Sequence, residues 1–211
     1  MEDCRNILVS GTAALNLNVT EQQIEQLLAF INLIEKWNKA YNLTAIRNRE
    51  EMVRLHILDS LAILPHLEGQ RIIDIGTGAG LPGIPLAICV PESRFMLLDS
   101  NAKKTRFVQQ VTLELKLKNV DVLHSRVENY RPEQAYDSVL ARAFASLADI
   151  VKLTAHLVGK NGVLLAMKGQ NLDAELAEIS AKNAVISISV PGTNVERCLV
   201  RIEAPEQAEV R

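Results

Sequence analysis

One stretch constrains this chain more than any other. Asp74-Ile75-Gly76-Thr77-Gly78-Ala79-Gly80-Leu81-Pro82-Gly83 follows a short apolar run from Arg71 to Ile75 and leads into a second apolar stretch through Ile88. Alternate glycines directly after a strand let the backbone turn tightly and approach a ligand more closely than a Cβ would permit. Pro82 suits the first turn of a helix, where its missing N–H has no partner to lose. Free N–H groups at that helix start offer a place for an anionic group. A glycine turn serving no ligand is disfavoured, because each glycine gives up more chain entropy on folding than any other residue.

Around this turn the chain repeats strand, turn and helix. Short apolar strands are expected at 71–75, 94–98, 120–123, 137–141 and 163–167, with helices at 82–88, 101–117, from Ser146, and at 172–182. Val185 to Val190 and Cys198 to Glu203 alternate apolar and polar residues, which predicts a closing antiparallel pair. Strands separated by helices make a mostly parallel sheet covered on both faces. Right-handed crossovers then force a doubly wound α/β arrangement of seven strands.

The first third differs. Thr20 and Gln23 form a capping box, and Ile24, Leu27, Leu28, Ile31, Ile34 and Trp37 recur at helical spacing. Asn48 with Glu51 starts another helix carrying Val53, Ile57 and Leu61, and Tyr41 to Thr44 reads as a loop. The expected organisation is an N-terminal helical extension, 1–68, and an α/β domain, 69–211, packed as one compact unit.

Composition excludes several classes. Of 211 residues 48% are apolar, enough for a sizeable core. The charge of 23 − 25 = −2 excludes a globally basic coat but not a local basic patch. No apolar run approaches the roughly 18 residues of a membrane span, and the acidic start MEDCRNILVSG does not resemble a secretory signal. Cys4, Cys89 and Cys198 lack metal-ligand spacing, so no metal is expected and unpaired thiols in a reducing cytoplasm are. A monomer is expected.

Two ligand classes compete for the glycine turn. A dinucleotide fingerprint counted from Gly76 needs a third glycine where Leu81 stands. Counted from Gly78 the spacing fits (Gly78, Gly80, Gly83), but two extra residues then separate strand and first glycine. That register keeps an NAD-dependent oxidoreductase as an alternative. Asp74 argues against it, because a carboxylate beside the loop repels a pyrophosphate and attracts an ammonium. S-adenosylmethionine, which carries an ammonium and a sulfonium, suits the loop better. Asp99, 25 positions after Asp74 and followed by Ser100, closes the second strand and can accept both ribose hydroxyls of an adenosine. Glu128, with Val127, follows the third strand and is placed to flank the adenine.

Several blocks occur together and in order: WNKAYNLTAI (37–46), HILDSL (56–61), DIGTGAGLPGIPLAI (74–88), LLDS (97–100), SRVE (125–128), RAFASL (142–147) and MKGQ (167–170). With these the chain resembles the glucose-inhibited division protein B family, bacterial guanine-N7 methyltransferases of 16S ribosomal RNA, over nearly its whole length. The resemblance implies a class I S-adenosylmethionine-dependent methyltransferase fold with an N-terminal extension. It also implies a cytoplasmic enzyme acting on one guanine of the small ribosomal subunit. By position, Gly76, Leu81, Val127, Glu128 and Arg142 correspond to the family's cofactor contacts, and Asp99 to the ribose acid of the wider fold.

The chemistry is compatible with that implication. Guanine N7 has a lone pair and no proton, so methylation there needs no general base. The Asn or Asp followed by two prolines that often serves exocyclic amines is absent at Leu140-Ala141-Arg142-Ala143. No cysteine is expected at a strand end facing the cofactor. Arg142, ending the fourth strand, is the leading group to hold guanine O6 or the cofactor carboxylate. Lys168, ending the fifth, is a candidate for RNA phosphate and is expected beside Arg142 in the catalytic set. Lys103, Lys104 and Arg106 open the helix after Asp99 and, with Arg47, Arg49 and Arg54 of the extension, could track phosphates. Trp37 fits the core better than base stacking, and His56 with Asp59, at i and i+3, suggests a structural hydrogen bond. A non-catalytic RNA-binding module remains the other alternative.

Overall fold

The computed structural model describes residues 2–169 and 172–204. Gln170, which closes the MKGQ block, lies outside them. Seven strands form one sheet in the order β3-β2-β1-β4-β5-β7-β6. They are β1 (Arg71–Ile75), β2 (Arg94–Asp99), β3 (Val120–His124), β4 (Tyr136–Arg142), β5 (Val158–Lys168), β6 (Asn183–Ile188) and β7 (Arg197–Glu203). β1 to β5 pair in parallel, whereas β7 runs antiparallel between β5 and β6. The strand order reverses between β1 and β4, so the ligand crevice of such a sheet belongs at the carboxyl ends of those two strands.

The helices are α1 (Glu2–Ala14), α2 (Glu21–Tyr41), α3 (Arg49–Met52), α4 (Asp59–Leu61), α5 (Gly83–Cys89), α6 (Ala102–Glu114), α7 (Leu147–Thr154) and α8 (Asp173–Ala177). α3 and α4 belong to one continuous rod whose middle, Val53–Leu58, is π-helical. The Thr20–Gln23 capping box forms as expected, and the side-chain amide of Gln23 also donates to the carbonyls of Ile88 and Cys89 at 3.0 and 3.1 Å. The start of α2 is thereby tied to the end of α5. α8 is shorter than its apolar spacing predicts. After Ala177 the chain tightens, with the Ile179 N–H reaching the Leu176 carbonyl at 3.3 Å, and turns back to begin β6 at Asn183.

Central strands are buried on both sides, which is why they read as continuous apolar runs. Ile72, Leu97, Leu140, Leu165 and Leu199 point to one face. There they join α5, α6 and the extension through Phe107, Ile84, Phe30, Ile34 and Leu58 in a single buried cluster. Ile73, Ile75, Val139, Leu164 and Val200 form the other face with Leu147 and Ile150 of α7. Trp37 packs edge-on to Tyr41 at 5.0 Å and against Phe107 at 5.9 Å, as its place in the apolar stripe anticipated. Among the described residues no helix is long and apolar enough to cross a membrane.

Candidate active site at the carboxyl edge of the sheet

The glycine loop is knitted by its own backbone and by two acids. The N–H groups of Gly80 and Leu81 both donate to the Thr77 carbonyl, at 2.9 and 3.0 Å, and the Thr77 N–H donates to Leu98 at the end of β2. Gly76, Gly78 and Gly80 take left-handed φ values of 63°, 60° and 82°. A Cβ on Gly76 would sit 2.5 Å from the Phe144 ring, so only glycine fits beneath that ring. At Gly78 a Cβ would meet nothing closer than 3.8 Å, and the Lys104 ammonium stands 4.0 Å away. The loop is therefore open on that side.

Asp74 is fully buried rather than displayed beside the loop. Its Oδ2 accepts from the Thr77 hydroxyl at 2.6 Å and from the Gly83 N–H at 2.9 Å, while Oδ1 has no partner among the described residues. Burial pushes its pKa up to about 6. The expectation of a carboxylate beside the loop that attracts an ammonium is thus narrowed: only the orphaned Oδ1 is left to meet one. The expectation of free N–H groups at the following helix is corrected too, because Gly83 is capped by Asp74 and Ile84 donates to Gly80 at 2.8 Å. A pyrophosphate would find that helix start already neutralised by a carboxylate, which disfavours the dinucleotide reading.

Asp99 stands at the end of β2 with its Oδ2 accepting from the Gly78 N–H and its Oδ1 from the Asn101 N–H, both at 2.8 Å. Two acceptor sites per oxygen leave lone pairs for a diol. Ser100 beside it is exposed, and its carbonyl is 3.0 Å from His124 Nε2. Leu81 and Val127 are buried. Glu128 is exposed on the short 3₁₀ turn after β3. Lys103 and Arg106 are exposed and Lys104 half-buried on the first turns of α6, and none of the three forms an ion pair among the described residues. Arg49 and Arg54 are different, being engaged by Glu35 at 2.8 Å and Glu50 at 3.3 Å. Arg47 folds back onto the Thr44 carbonyl. The phosphate track expected on the extension is largely internal ion pairing.

β4 ends at Arg142. Ala143 then adopts a left-handed φ of 49°, and Phe144 lies over Gly76. This turn links the glycine loop to a cavity of about 380 Å³ lined by His56, Asp59, Arg142, Met167, Lys168 and Arg197 among others. Arg142 Nη1 donates to Asp59 Oδ2 at 3.1 Å and Arg197 Nε to Asp59 Oδ1 at 3.0 Å. The expected His56–Asp59 bond is not made. His56 Nε2 instead meets the Thr44 hydroxyl at 2.9 Å and Nδ1 the Leu55 carbonyl at 3.2 Å, and burial, helped by Arg142, lowers its pKa to about 4.

Lys168 is likewise committed to the protein. Its Nζ donates to the Ala145 carbonyl and to Glu175, each at 2.7 Å, and Glu175 also caps the Leu147 N–H at the start of α7. Two of the three N–H donors of Lys168 are thus engaged in holding the 143–147 turn. Cys198 does reach this end of the sheet, contrary to expectation, because antiparallel β7 begins where parallel β5 ends. Its Sγ–H is donated to the Gly169 carbonyl at 2.9 Å and burial raises its pKa, so it is a thiol and not a nucleophilic thiolate.

The seven-stranded order with β7 inverted, the glycine loop after β1 and the acid ending β2 define a class I S-adenosylmethionine-dependent methyltransferase architecture. Solved structures bear this out: a SAM-dependent methyltransferase from Aquifex aeolicus superposes with TM-score 0.57 over 72% of this chain and 93% of its own, at 17% identity. The magnesium protoporphyrin IX methyltransferase of Synechocystis, solved with bound SAM, covers 82% of this chain and 97% of its own, with TM-score 0.57 and 14% identity. The family model for rRNA small subunit methyltransferase G matches residues 23–202. Curated proteins named ribosomal RNA small subunit methyltransferase G are 50% identical in Nitrosococcus oceani (93% of this chain, 94% of that one) and 51% identical in Shewanella amazonensis (92% and 96%). The chain belongs to the rRNA small subunit methyltransferase G family.

Proposed function

We propose that the protein transfers a methyl group from S-adenosylmethionine to N7 of a guanine in 16S ribosomal RNA of the small subunit. When bound, the cofactor supplies an electrophilic methyl on a sulfonium. The residues present fit it. Gly76, Gly78 and Gly80 would let the backbone close on it, Asp99 would accept the ribose hydroxyls, and Val127 with Glu128 would flank the adenine. Asp74 organises the loop, and its unpartnered Oδ1 suits a cationic group.

What carries the reading is the gathering of these groups at one sheet edge, in a chain half identical to relatives named for methylating small-subunit rRNA. The choice of a ring nitrogen is supported by the lack, among the described residues, of a free base in or beside the cavity. Both His56 nitrogens are engaged, Asp59 is paired with two arginines, and Cys198 is a protonated thiol. A nucleophile that carries no proton needs none of them. Alignment is then the main source of rate, with reacting atoms held at roughly 3–3.5 Å in line. Arg142 would donate to guanine O6, the edge beside N7.

Incubating the full-length protein with labelled S-adenosylmethionine and under-methylated small subunits tests this. The expected product is 7-methylguanine at one position of 16S rRNA. Label on an exocyclic amine, on carbon or on no nucleotide would refute it.

A further inference from the structure

Asp59 is the one acid lining the cavity among the described residues, and it faces two guanidinium groups with 2% of its side chain exposed. The three residues come from three separate parts of the chain: the extension, the end of β4 and the start of β7. Nothing else in the cavity can replace the carboxylate, since His56 is neutral and doubly engaged and Lys168 is occupied by Glu175. A guanidinium carries five N–H donors, and Arg142 places one of them on Asp59, leaving the others for a ligand.

The helix bearing Asp59 is irregular just before it. Across Val53–Leu58 it is π-helical, and the Asp59 N–H reaches back five residues to the Arg54 carbonyl. A π turn holds one residue more than an α turn, so the residues beyond it are rotated by roughly 100° about the axis. That rotation accompanies Asp59 facing the arginines instead of sharing a bond with His56.

We propose that Asp59 is a positioning residue for methyl transfer: presented after the π-helical turn of the extension, it clamps Arg142 and Arg197 as an opposed pair so that Arg142 meets the target base in a single orientation. This role rests on methyl transfer being the reaction. It assigns the extension a task in that reaction, namely to deliver the anion that orients a guanidinium held by the sheet.

The test uses the full chain as wild type, Asp59→Asn and Asp59→Glu. Turnover and KM are measured on under-methylated subunits, S-adenosylhomocysteine affinity by calorimetry, and the guanidinium N–H signals that meet Asp59 (Arg142 Nη, Arg197 Nε) by ¹⁵N NMR without substrate. For Asp59→Asn, turnover falls roughly ten- to hundred-fold, cofactor-product affinity stays within about two-fold, and the Arg142 and Arg197 signals lose their protection from exchange. Asp59→Glu, which keeps the charge, recovers part of the turnover. Wild-type turnover in Asp59→Asn overturns the proposal, as does a turnover loss matched by an equal loss of product affinity. Should Asp59→Asn not fold, wild-type turnover in Asp59→Glu overturns it. If the wild type itself transfers no methyl, the functional reading fails. The arginine signals of the variants then still decide whether Asp59 orders the pair, and unchanged signals overturn that.

Discussion

Two acids at neighbouring strand ends do different work. Asp99, itself buried, holds one oxygen on the Gly78 N–H and the other on the Asn101 N–H. Charge-assisted hydrogen bonds to it are worth about 1.5–3 kcal/mol each, so Asp99→Ala should weaken S-adenosylhomocysteine binding by about ten- to hundred-fold. Unchanged affinity by calorimetry would remove Asp99 from the site. Asp74 is buried with a pKa near 6, and His56 is buried with one near 4. Between pH 6.5 and 4 the unfolded chain protonates His56 and the folded one does not, so stability falls as pH drops. Between pH 3.8 and 6 the folded chain retains the Asp74 proton and the unfolded one does not, so stability falls as pH rises. Each amounts to about 3 kcal/mol, and the two slopes oppose. In His56→Gln the His56 slope is lost: from pH 4 to 6 its stability should decline with rising pH relative to wild type. Urea denaturation across that range reads this directly, and parallel curves would contradict it.

At the scale of elements, Gln23 does more than its motif suggests. Capping boxes are recognised from spacing alone, and this one forms. The same side chain also binds two carbonyls at the end of α5, over 65 and 66 positions. Losing the Thr20 cap should cost about 1 kcal/mol. Gln23→Leu should cost about 2–3 kcal/mol, since net hydrogen bonds contribute about 1 kcal/mol each and the α5 carbonyls lose a partner. Equal melting shifts for the two variants would show that the α2–α5 tie carries no stability. The caps at Asn48, Asn101 and Ser146 were also legible in the sequence, because each bonds its own first turn. The π-helical turn was not, since apolar spacing over six residues does not distinguish i→i+4 from i→i+5 pairing.

Over the whole molecule, charge is nearly balanced, so binding to RNA must come from local cations. Among the described residues, Arg49 and Arg54 of the extension are ion-paired, whereas Lys103, Lys104 and Arg106 beside the loop mouth are not. Replacing all three by alanine should flatten the salt dependence of RNA binding. The slope of log K against log salt should drop by roughly 0.7–0.9 for each phosphate that is no longer neutralised. An unaltered slope in a filter-binding titration would place the RNA elsewhere. The extension is not an appendage in packing terms, because its apolar face and one face of the sheet bury each other in a single cluster.

Strand periodicity, glycine spacing and capping residues each act within a few positions, so the order of strands and helices, the turn after β1 and the acid ending β2 could be read directly from the chain. Which side chains meet across the sheet edge could not. Asp59 reaches Arg142 over 83 positions and Arg197 over 138, and no local pattern encodes those distances. The inversion of β7 brings Arg197 and Cys198 to the crevice, and burial decides that Asp74 braces the loop while Lys168 holds a turn. Partnering and desolvation depend on what the folded chain places around a group, and only the tertiary structure supplies that surrounding.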